Sequence, residues 1–189
     1  MKKNQNGILE LLSDKPLIPV VTIKDLEQLD NTIETLLSRD INCIEITLRT
    51  SVSWQAIERA KKNHGDRIKV GVGTIINQDQ IYKAMDLNVD FLVSPGFTPQ
   101  LIKGLEESKI PFLPGVSNVS QIIIAIENNC NTLKFFPAIL SGGLQALENF
   151  YQLFPLVKFC PTGGIGAVNF KSFLELKNVI SVGGSWLSK

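Results

Sequence analysis

The sequence predicts an α/β protein of the TIM-barrel type, (β/α)8, built as one compact domain over residues 1–189. Short apolar runs typical of buried strands alternate eight times with segments of helical periodicity. Strict alternation implies parallel strands joined by right-handed crossovers. Polar or glycine residues stand near the ends of many strands, and in a barrel those ends meet on the face that carries the active site. The alternative is an open doubly wound sheet, which rarely reaches eight strands with so many polar ends.

Each element is predicted from its own local pattern. A short N-terminal helix is expected at about 7–13. The strands are predicted at 17–23, 43–49, 69–76, 90–95, 110–116, 133–137, 157–161 and 179–182. Helices are predicted at 25–40, 52–63, 77–87, from 98–99 onward, 118–128, 142–154 and 167–176. Asn77 with Gln80 resembles a capping box, and Thr98 precedes a first-turn proline. Little sequence follows the eighth strand, so the eighth helix is expected to be missing or truncated, which would leave Trp186 and Leu187 beside an uncovered strand.

Composition and charge argue against several classes of function. The chain is 44% apolar and 20% charged, as in ordinary soluble proteins, and its formal charge of +1 offers no basic field for nucleic acid. No apolar run could cross a bilayer, and the first residues lack the apolar core of a signal peptide, so a cytoplasmic location is expected. Cys43, Cys130 and Cys160 lack paired spacing and are expected to be buried free thiols. His64 is the only histidine and is expected to be solvated, so no metal site is predicted.

A lysine stands in the middle of the predicted strand at 133–137. Thr132, Lys134 and Phe136 share one face of it, and neither face is polar throughout, which suits a strand covered on both sides. A buried lysine is costly as a cation and tends to give up its proton, and the neutral amine can then attack a carbonyl to form a Schiff base. The structural alternative is a lysine at a strand end that reaches solvent along its stem.

The second strand carries a polar row. Glu45, Thr47 and Arg49 share one face, and the opposite face is apolar and suited to the helix shell. A polar row is a poor way to fill a barrel core. Glu45 is therefore predicted to move protons and Arg49 to bind a carboxylate or phosphate. The alternative is a buried Glu45–Arg49 ion pair, although such pairs contribute little to stability.

Glycine-rich segments follow the seventh and eighth predicted strands, PTGGI at 161–165 and GGS at 183–185. In TIM barrels the loops at these two positions bind phosphate through backbone N–H groups. Each loop alone is equally typical of a glycine turn. The GVG segment at 71–73 lacks the third glycine of a dinucleotide fingerprint, so a Rossmann site is rejected.

Taken in order, several motifs together resemble the 2-keto-3-deoxy-6-phosphogluconate (KDPG) and 4-hydroxy-2-oxoglutarate (KHG) aldolase family, whose members are class I, lysine-dependent aldolases. The resemblance covers about Pro16 to Leu187. It depends on IEITLRT at 44–50, GVGT at 71–74, SPG at 94–96, KFFPA at 134–138, FCPTGGI at 159–165 and GGSWL at 183–187.

The resemblance implies a role for eleven residues. Two would carry the chemistry, Lys134 as the Schiff-base lysine and Glu45 as the general acid/base. Five would hold the pyruvyl part and the substrate chain: Arg49 and Thr74 at the carboxylate, Pro95 and Phe136 around the pyruvyl group, and Thr162 at the chain. Four would bind the phosphate: Gly163, Gly164, Gly184 and Ser185.

The implied reaction is reversible cleavage of KDPG to pyruvate and glyceraldehyde 3-phosphate in a homotrimer without metal or cofactor, with KHG cleavage to pyruvate and glyoxylate as a possible second activity. The alternatives are an aldolase of the same family acting on the phosphogalactonate epimer, a metal-dependent aldolase, a barrel phosphate isomerase or epimerase, and a barrel that has lost catalysis. A metal aldolase would need several ligands near the barrel mouth, and an isomerase would have no use for a strand-buried lysine.

Overall fold

A computed structural model describes residues 3–188, so Met1, Lys2 and Lys189 of the predicted domain lie outside the described residues. Within this range helices and strands alternate as predicted. The helices are α1 (Lys3–Ser13), α2 (Glu27–Leu37), α3 (Ser53–His64), α4 (Gln78–Asp86), α5 (Pro99–Glu107), α6 (Val119–Glu127), α7 (Gly143–Leu153), α8 (Phe170–Leu174) and a 3-10 helix (Ser185–Ser188). The strands are β1 (Leu17–Val21), β2 (Cys43–Thr47), β3 (Lys69–Gly73), β4 (Phe91–Val93), β5 (Phe112–Leu113), β6 (Gly115–Val116), β7 (Thr132–Phe135), β8 (Lys158–Pro161) and β9 (Val182–Gly184).

Two of the predicted helix starts, at Asn77 and Thr98, are confirmed by side-chain caps. Asn77 Oδ1 accepts a hydrogen bond from the Gln80 backbone N–H at 3.0 Å, and Gln80 Oε1 accepts one from the Ile76 N–H at 2.7 Å. Thr98 Oγ1 accepts from the Leu101 N–H at 3.1 Å, ahead of Pro99 in the first turn. These contacts satisfy N–H groups that have no partner within the first turn of a helix.

The strands form a curled, parallel sheet with helices along its outside. Six strands pair in the order β5-β4-β3-β2-β1-β9, and a second group pairs as β6-β7-β8. Isolated parallel bridges join Phe159 to Val179 and Thr162 to Gly183 between these groups. The described residues therefore form an α/β fold with a curled parallel sheet, and one continuous eight-stranded ladder is not present among them.

The fifth predicted strand is divided into two short pieces. Pro114 separates β5 from β6, and proline has no N–H to donate to a neighbouring strand. β5 pairs with β4 on one side, whereas β6 pairs with β7 on the other. The prediction of one strand over 110–116 was wrong at this residue.

The inner side of the curled sheet is filled by apolar side chains towards the amino-terminal ends of the strands and is open at their carboxyl-terminal ends. A small apolar cluster there includes Ile18, Cys43, Phe91 and Cys160 from four strands. Helix α1 adds Ile8 and Leu12 to the same cluster. Its Gln5 donates to the Phe112 carbonyl at 3.0 Å and accepts from the Thr132 N–H at 2.9 Å, at the starts of β5 and β7. Helix α1 thus closes the amino-terminal end of the sheet, and a site can form only at the carboxyl-terminal end.

The last strand differs from its prediction. β9 begins at Val182 rather than 179, and Val179 makes only an isolated bridge. The 3-10 helix that follows buries Leu187, whose carbonyl accepts a hydrogen bond from Arg39 at 3.3 Å. The ring of Trp186 lies 5.9 Å from that of Phe170. The expected bare apolar strand is therefore wrong, because this helix and these rings cover it.

Two further expectations are decided by burial. His64 is buried rather than solvated, and its Nε2 lies 2.8 Å from Asp30 Oδ1 across the α2–α3 contact. The three cysteines are buried and none of them forms a disulfide, as predicted. Across residues 3–188, no helix combines the length and apolar character that a membrane span requires.

Candidate active site

A cavity of about 360 Å3 lies at the carboxyl-terminal end of the curled sheet. Its walls come from β1 and the start of α2, from the segments that follow β2 and β7, and from the loops after β8 and β9. The lining residues are Val20, Val21, Thr22, Ile23, Gln28, Thr32, Arg49, Lys134, Phe136, Thr162, Gly163, Gly164, Ile165, Gly184, Ser185 and Ser188. Eight of the eleven sequence-predicted residues line this cavity.

Lys134 and Glu45 form a buried ion pair at the cavity floor. The Nζ atom of Lys134 lies 3.2 Å and 3.4 Å from the two carboxylate oxygens of Glu45, and both side chains are about 95% buried. The two residues are 89 positions apart and come from β7 and β2. The same Nζ lies 5.4 Å from the centre of the Phe136 ring. This arrangement places an amine and a carboxylate within proton-transfer distance, away from bulk water.

A glycine on β3 leaves the space that Glu45 occupies. Gly73 is the cross-strand neighbour of Thr47, and a Cβ atom on it would lie 2.2 Å from Glu45 Oε1. Any side chain at this position would push the carboxylate away from Lys134.

Arg49 lies exposed at the mouth of the cavity. No side-chain hydrogen bond or ion pair of Arg49 is found within the described part of the chain. The predicted alternative of a Glu45–Arg49 ion pair is thus wrong, because Glu45 pairs with Lys134 instead. A guanidinium that faces the cavity without a protein carboxylate can bind an anion bidentately.

The two glycine-rich loops meet on the opposite wall. Gly163 and Gly164 have φ angles of +101° and +78°, a region that favours glycine, and a Cβ on Gly164 would lie 2.7 Å from Ile139. The bridge between Thr162 and Gly183 brings the loop after β8 beside Gly184 and Ser185. Successive backbone N–H groups in left-handed turns form concave sites for anions.

Thr74 and Pro95 do not line the cavity. Thr74 follows β3 with a φ angle of +69°, and Pro95 follows β4; both are partly buried. Both residues follow strands on the Glu45 side of the sheet. They therefore lie at the same carboxyl-terminal end as the cavity but do not line it. The structure therefore brings together nine of the eleven residues, counting Glu45 through its contact with Lys134.

Sequence reasoning missed one wall of the cavity. Thr22 follows β1, while Gln28 and Thr32 lie on the first turns of α2, and Ser188 lies in the 3-10 helix. Thr22 could have been found by the same rule that selected Arg49, since it is a polar residue at a strand end. The helix residues carry no such signal, because their position near the cavity depends on how α2 packs.

The interior beneath the ion pair has a low polarity. Cys160 is the cross-strand neighbour of Lys134 on β8, and burial raises the pKa of its thiol to about 12. The thiol is neutral at physiological pH and is a poor nucleophile. Cys160 is therefore not expected to compete with Lys134 as a nucleophile at this floor.

Comparison with known proteins identifies the family of this chain. The family model for KDPG and KHG aldolase matches residues 8–189. The KHG/KDPG aldolase of Escherichia coli K12 is 36% identical over 187 residues, which cover 99% of this chain and 87% of that protein. The 2-dehydro-3-deoxy-phosphogluconate aldolase of Zymomonas mobilis is 37% identical over 172 residues, covering 91% of this chain and 82% of that protein.

A solved structure of similar shape has been captured with a ligand. The KDPG aldolase of Legionella pneumophila, with pyruvate held as a covalent carbinolamine intermediate, superposes with a TM-score of 0.91 at 39% identity. The match covers 95% of this chain and 86% of that one. A carbinolamine forms when an amine adds to a carbonyl, which is the reaction expected of a buried lysine.

Proposed function

Because the chain belongs to the KDPG and KHG aldolase family, we propose that it is a class I aldolase, a carbon–carbon lyase that cleaves 2-keto-3-deoxy-6-phosphogluconate to pyruvate and glyceraldehyde 3-phosphate. The observation that carries the proposal is the buried contact between Lys134 Nζ and the Glu45 carboxylate at 3.2 Å. A nucleophilic amine and a proton acceptor at one point are the two groups that this reaction needs.

The reaction begins on the lysine. Proton transfer from Lys134 to Glu45 leaves a neutral amine, which attacks the C2 keto carbon while Glu45 returns that proton to the ketone oxygen. A second proton, from the nitrogen, releases this oxygen as water and leaves an iminium ion on Nζ, with Glu45 ionised again. The iminium is the electron sink for the cleavage, so the mechanism needs no metal or organic cofactor.

Glu45 then moves the protons of the cleavage step. It takes the proton from the C4 hydroxyl, the C3–C4 bond breaks, and the electron pair moves onto the iminium to give an enamine. The aldehyde half leaves. Glu45 returns its proton to C3, and water hydrolyses the resulting iminium to release pyruvate and free Lys134. One carboxylate serves both directions because the proton that it removes is the one that it gives back.

The remaining predicted residues are proposed to hold the two ends of the substrate. The guanidinium of Arg49, together with Thr74, binds the carboxylate, and Pro95 and Phe136 pack around the pyruvyl group. Thr162 contacts the chain of the substrate. The phosphate binds between the loop after β8, with Gly163 and Gly164, and the end of β9, with Gly184 and Ser185. The left-handed backbone of Gly163 and Gly164 supports this assignment.

Cleavage of 4-hydroxy-2-oxoglutarate to pyruvate and glyoxylate is proposed as a second activity, because the E. coli relative is named for both substrates. The phosphogalactonate epimer is not favoured, since the relatives at 36–37% identity are named for the other two substrates. A phosphate isomerase is not favoured either, because it would have no role for Lys134.

The assembled protein is proposed to be a closed (β/α)8 barrel of one domain that forms a homotrimer in the cytoplasm. The two isolated bridges near β9 support closure, and three buried thiols that form no disulfide suit a reducing compartment. Exposed apolar residues on α6 and after α7 support self-association; they are Ile123, Ile124, Ile126 and Leu156. Light scattering over a dilution series should give three times the chain mass, and a monomer at every concentration would contradict the trimer.

Borohydride trapping tests the proposed function. Pyruvate plus borohydride should add one reduced adduct to the peptide that contains Lys134, and Lys134→Ala should lose both the adduct and turnover. Lys158→Ala is the matched control, because this lysine lies on β8 and bonds the Lys177 carbonyl at an exposed site. Labelling of a different lysine would refute the mechanism. Steady-state kcat/KM values for KDPG, its phosphogalactonate epimer and 4-hydroxy-2-oxoglutarate then rank the three substrates.

Metal dependence separates this mechanism from that of a metal aldolase. Within residues 3–188, no three His, Cys, Asp or Glu side chains are grouped so as to hold a metal ion. Prolonged chelation is expected to leave cleavage activity intact. Activity that is lost on chelation and restored by zinc or magnesium would overturn the class I assignment.

A further inference from the structure

A pair of threonine hydroxyls at the cavity wall has a defined direction of hydrogen bonding. Thr47 Oγ1 lies 3.1 Å from the Val21 carbonyl oxygen and 2.8 Å from Thr22 Oγ1. A carbonyl can only accept, and each hydroxyl has a single hydrogen. Thr47 therefore gives its hydrogen to Val21, and Thr22 gives its hydrogen to Thr47. The oxygen of Thr22 is left with lone pairs only.

The register of the strands places this oxygen one layer above the reacting groups. Val20 pairs with Glu45 across β1 and β2, so Thr22 and Thr47 are the next pair on the same inner face. Residues two apart on a strand are separated by about 6–7 Å. Thr47 is fully buried, whereas Thr22 is exposed and lines the cavity. The lone pairs of Thr22 thus face the space directly above Glu45 and Lys134.

This wall differs in chemistry from the anion-binding parts of the site. Arg49 and the backbone N–H groups of Gly163 and Gly164 can donate hydrogen bonds, which suits a carboxylate and a phosphate. While its hydrogen is given to Thr47, Thr22 offers only an acceptor, which suits neither anion. It suits a substrate hydroxyl, which has a hydrogen to give.

We propose that Thr22 is a specificity-determining residue that accepts a hydrogen bond from a hydroxyl on the aldehyde half of the substrate. The proposal rests on the proposed aldolase function and assigns a preference within it, for a hydroxylated aldehyde over one that lacks the hydroxyl next to the carbonyl. Keto acids without a hydroxyl beyond C4 gain nothing from Thr22.

Two aldehydes that differ by one hydroxyl test the proposal in the synthetic direction. Pyruvate is condensed with glyceraldehyde 3-phosphate or with 3-oxopropyl phosphate, and kcat/KM is measured for each. Thr22→Val keeps the shape but removes the acceptor, so it should reduce the ratio of the two values by about three- to tenfold, the usual worth of one hydrogen bond. Thr22→Ser should retain the ratio. Thr35→Val is the matched control, because Thr35 bonds its own helix through Asn31 and does not line the cavity.

Exchange of the pyruvate methyl protons, which requires no aldehyde, separates the possible failures. Normal exchange in Thr22→Val with an unchanged aldehyde ratio would overturn the assignment of Thr22 alone, as would an equal fall in kcat/KM for both aldehydes. Absence of exchange and of a Lys134 adduct in the unmodified protein would overturn the proposed function and this inference with it. Thr22→Ala gives the same measurement should Thr22→Val fold poorly, since it also lacks the acceptor.

Discussion

Ion pairs of similar geometry occur in two regions of this molecule with opposite consequences. The interior pair, Lys134 with Glu45, is about 95% buried at the cavity floor. The surface network joins α2 to α3 and the residues just after it; its members are Asp30, Glu34, Arg59, His64 and Arg67. Within the network, Arg67 donates to both oxygens of Glu34 at 2.8 Å and 2.7 Å, yet about half of each side chain is exposed.

Burial, rather than distance, separates their roles. Water screens the surface network, so its pairs add little stability and their protons are of no use to a reaction. The interior pair has lost the hydration of both charges, and a buried pair contributes weakly to stability even when its geometry is good. A fold that keeps such a pair at the base of a cavity keeps two groups whose charges can be cancelled by moving one proton. Four measurements test this difference between the interior pair and the surface network.

Lys134→Met should have the largest effect. Turnover should be lost, and the uncompensated Glu45 carboxylate should lower the free energy of unfolding by about 3–5 kcal/mol. Replacing both partners, Lys134→Met with Glu45→Leu, should recover most of that stability without recovering activity. Arg67→Met in the surface network is the matched control and should leave the urea midpoint almost unchanged. If Lys134→Met alone were as stable as Arg67→Met, the interior pair would contribute to stability no differently from a surface pair.

Glu45→Gln should lower the rate of pyruvate methyl-proton exchange by roughly a hundredfold or more, the usual range for general acid–base catalysis. The adduct with Lys134 should still form, because the amine remains. Glu34→Gln is the counterpart in the surface network and should exchange protons at the unmodified rate. Unchanged exchange in Glu45→Gln would make this carboxylate structural.

Arg49→Gln should raise the KM for the keto acid about tenfold or more and change kcat less. A charged hydrogen bond to a carboxylate is worth about 1.5–3 kcal/mol, and Arg49 has no protein partner within the described residues that would be left unpaired. Arg59→Gln serves as control, because Arg59 is an arginine bonded to Asp30 outside the cavity. Equal KM values for the two variants would remove Arg49 from the site.

Asp30→Asn should have the smallest effect, and only above acidic pH. The hydrogen bond from His64, followed by that from Arg59, holds the pKa of Asp30 below its usual value of 3.8. A carboxyl group whose pKa is lower in the folded state than in the unfolded state stabilises the fold at pH values above its unfolded-state pKa. This contribution is lost as the pH falls below about 3.8. The difference in Tm between the unmodified protein and Asp30→Asn should therefore be about 2 °C or less at pH 7 and should shrink as the pH falls below about 3.8. A difference that grows on acidification would contradict the assignment.

The sequence was most informative where structure follows from neighbours in the chain. The type of each strand and helix, the caps at Asn77 and Thr98, and the polar row of Glu45, Thr47 and Arg49 all depend on residues within about four positions of one another. Such local patterns can be read directly from the sequence, and tertiary packing does not change them. The glycine turn after β8 was predictable for the same reason, since the left-handed backbone at Gly163 and Gly164 favours glycine locally.

Contacts between distant parts of the chain were decided only by the tertiary structure. Which group pairs with Glu45 depended on β7 lying opposite β2, and the answer was Lys134 rather than the nearby Arg49. Coverage of the last strand depended on where Leu187 packs, and the acceptor at Thr22 became visible only once Thr47 lay beside it. Local pattern determined which face each side chain takes. The packing of strands far apart in sequence decided which faces meet, because no local repeat encodes the register between them.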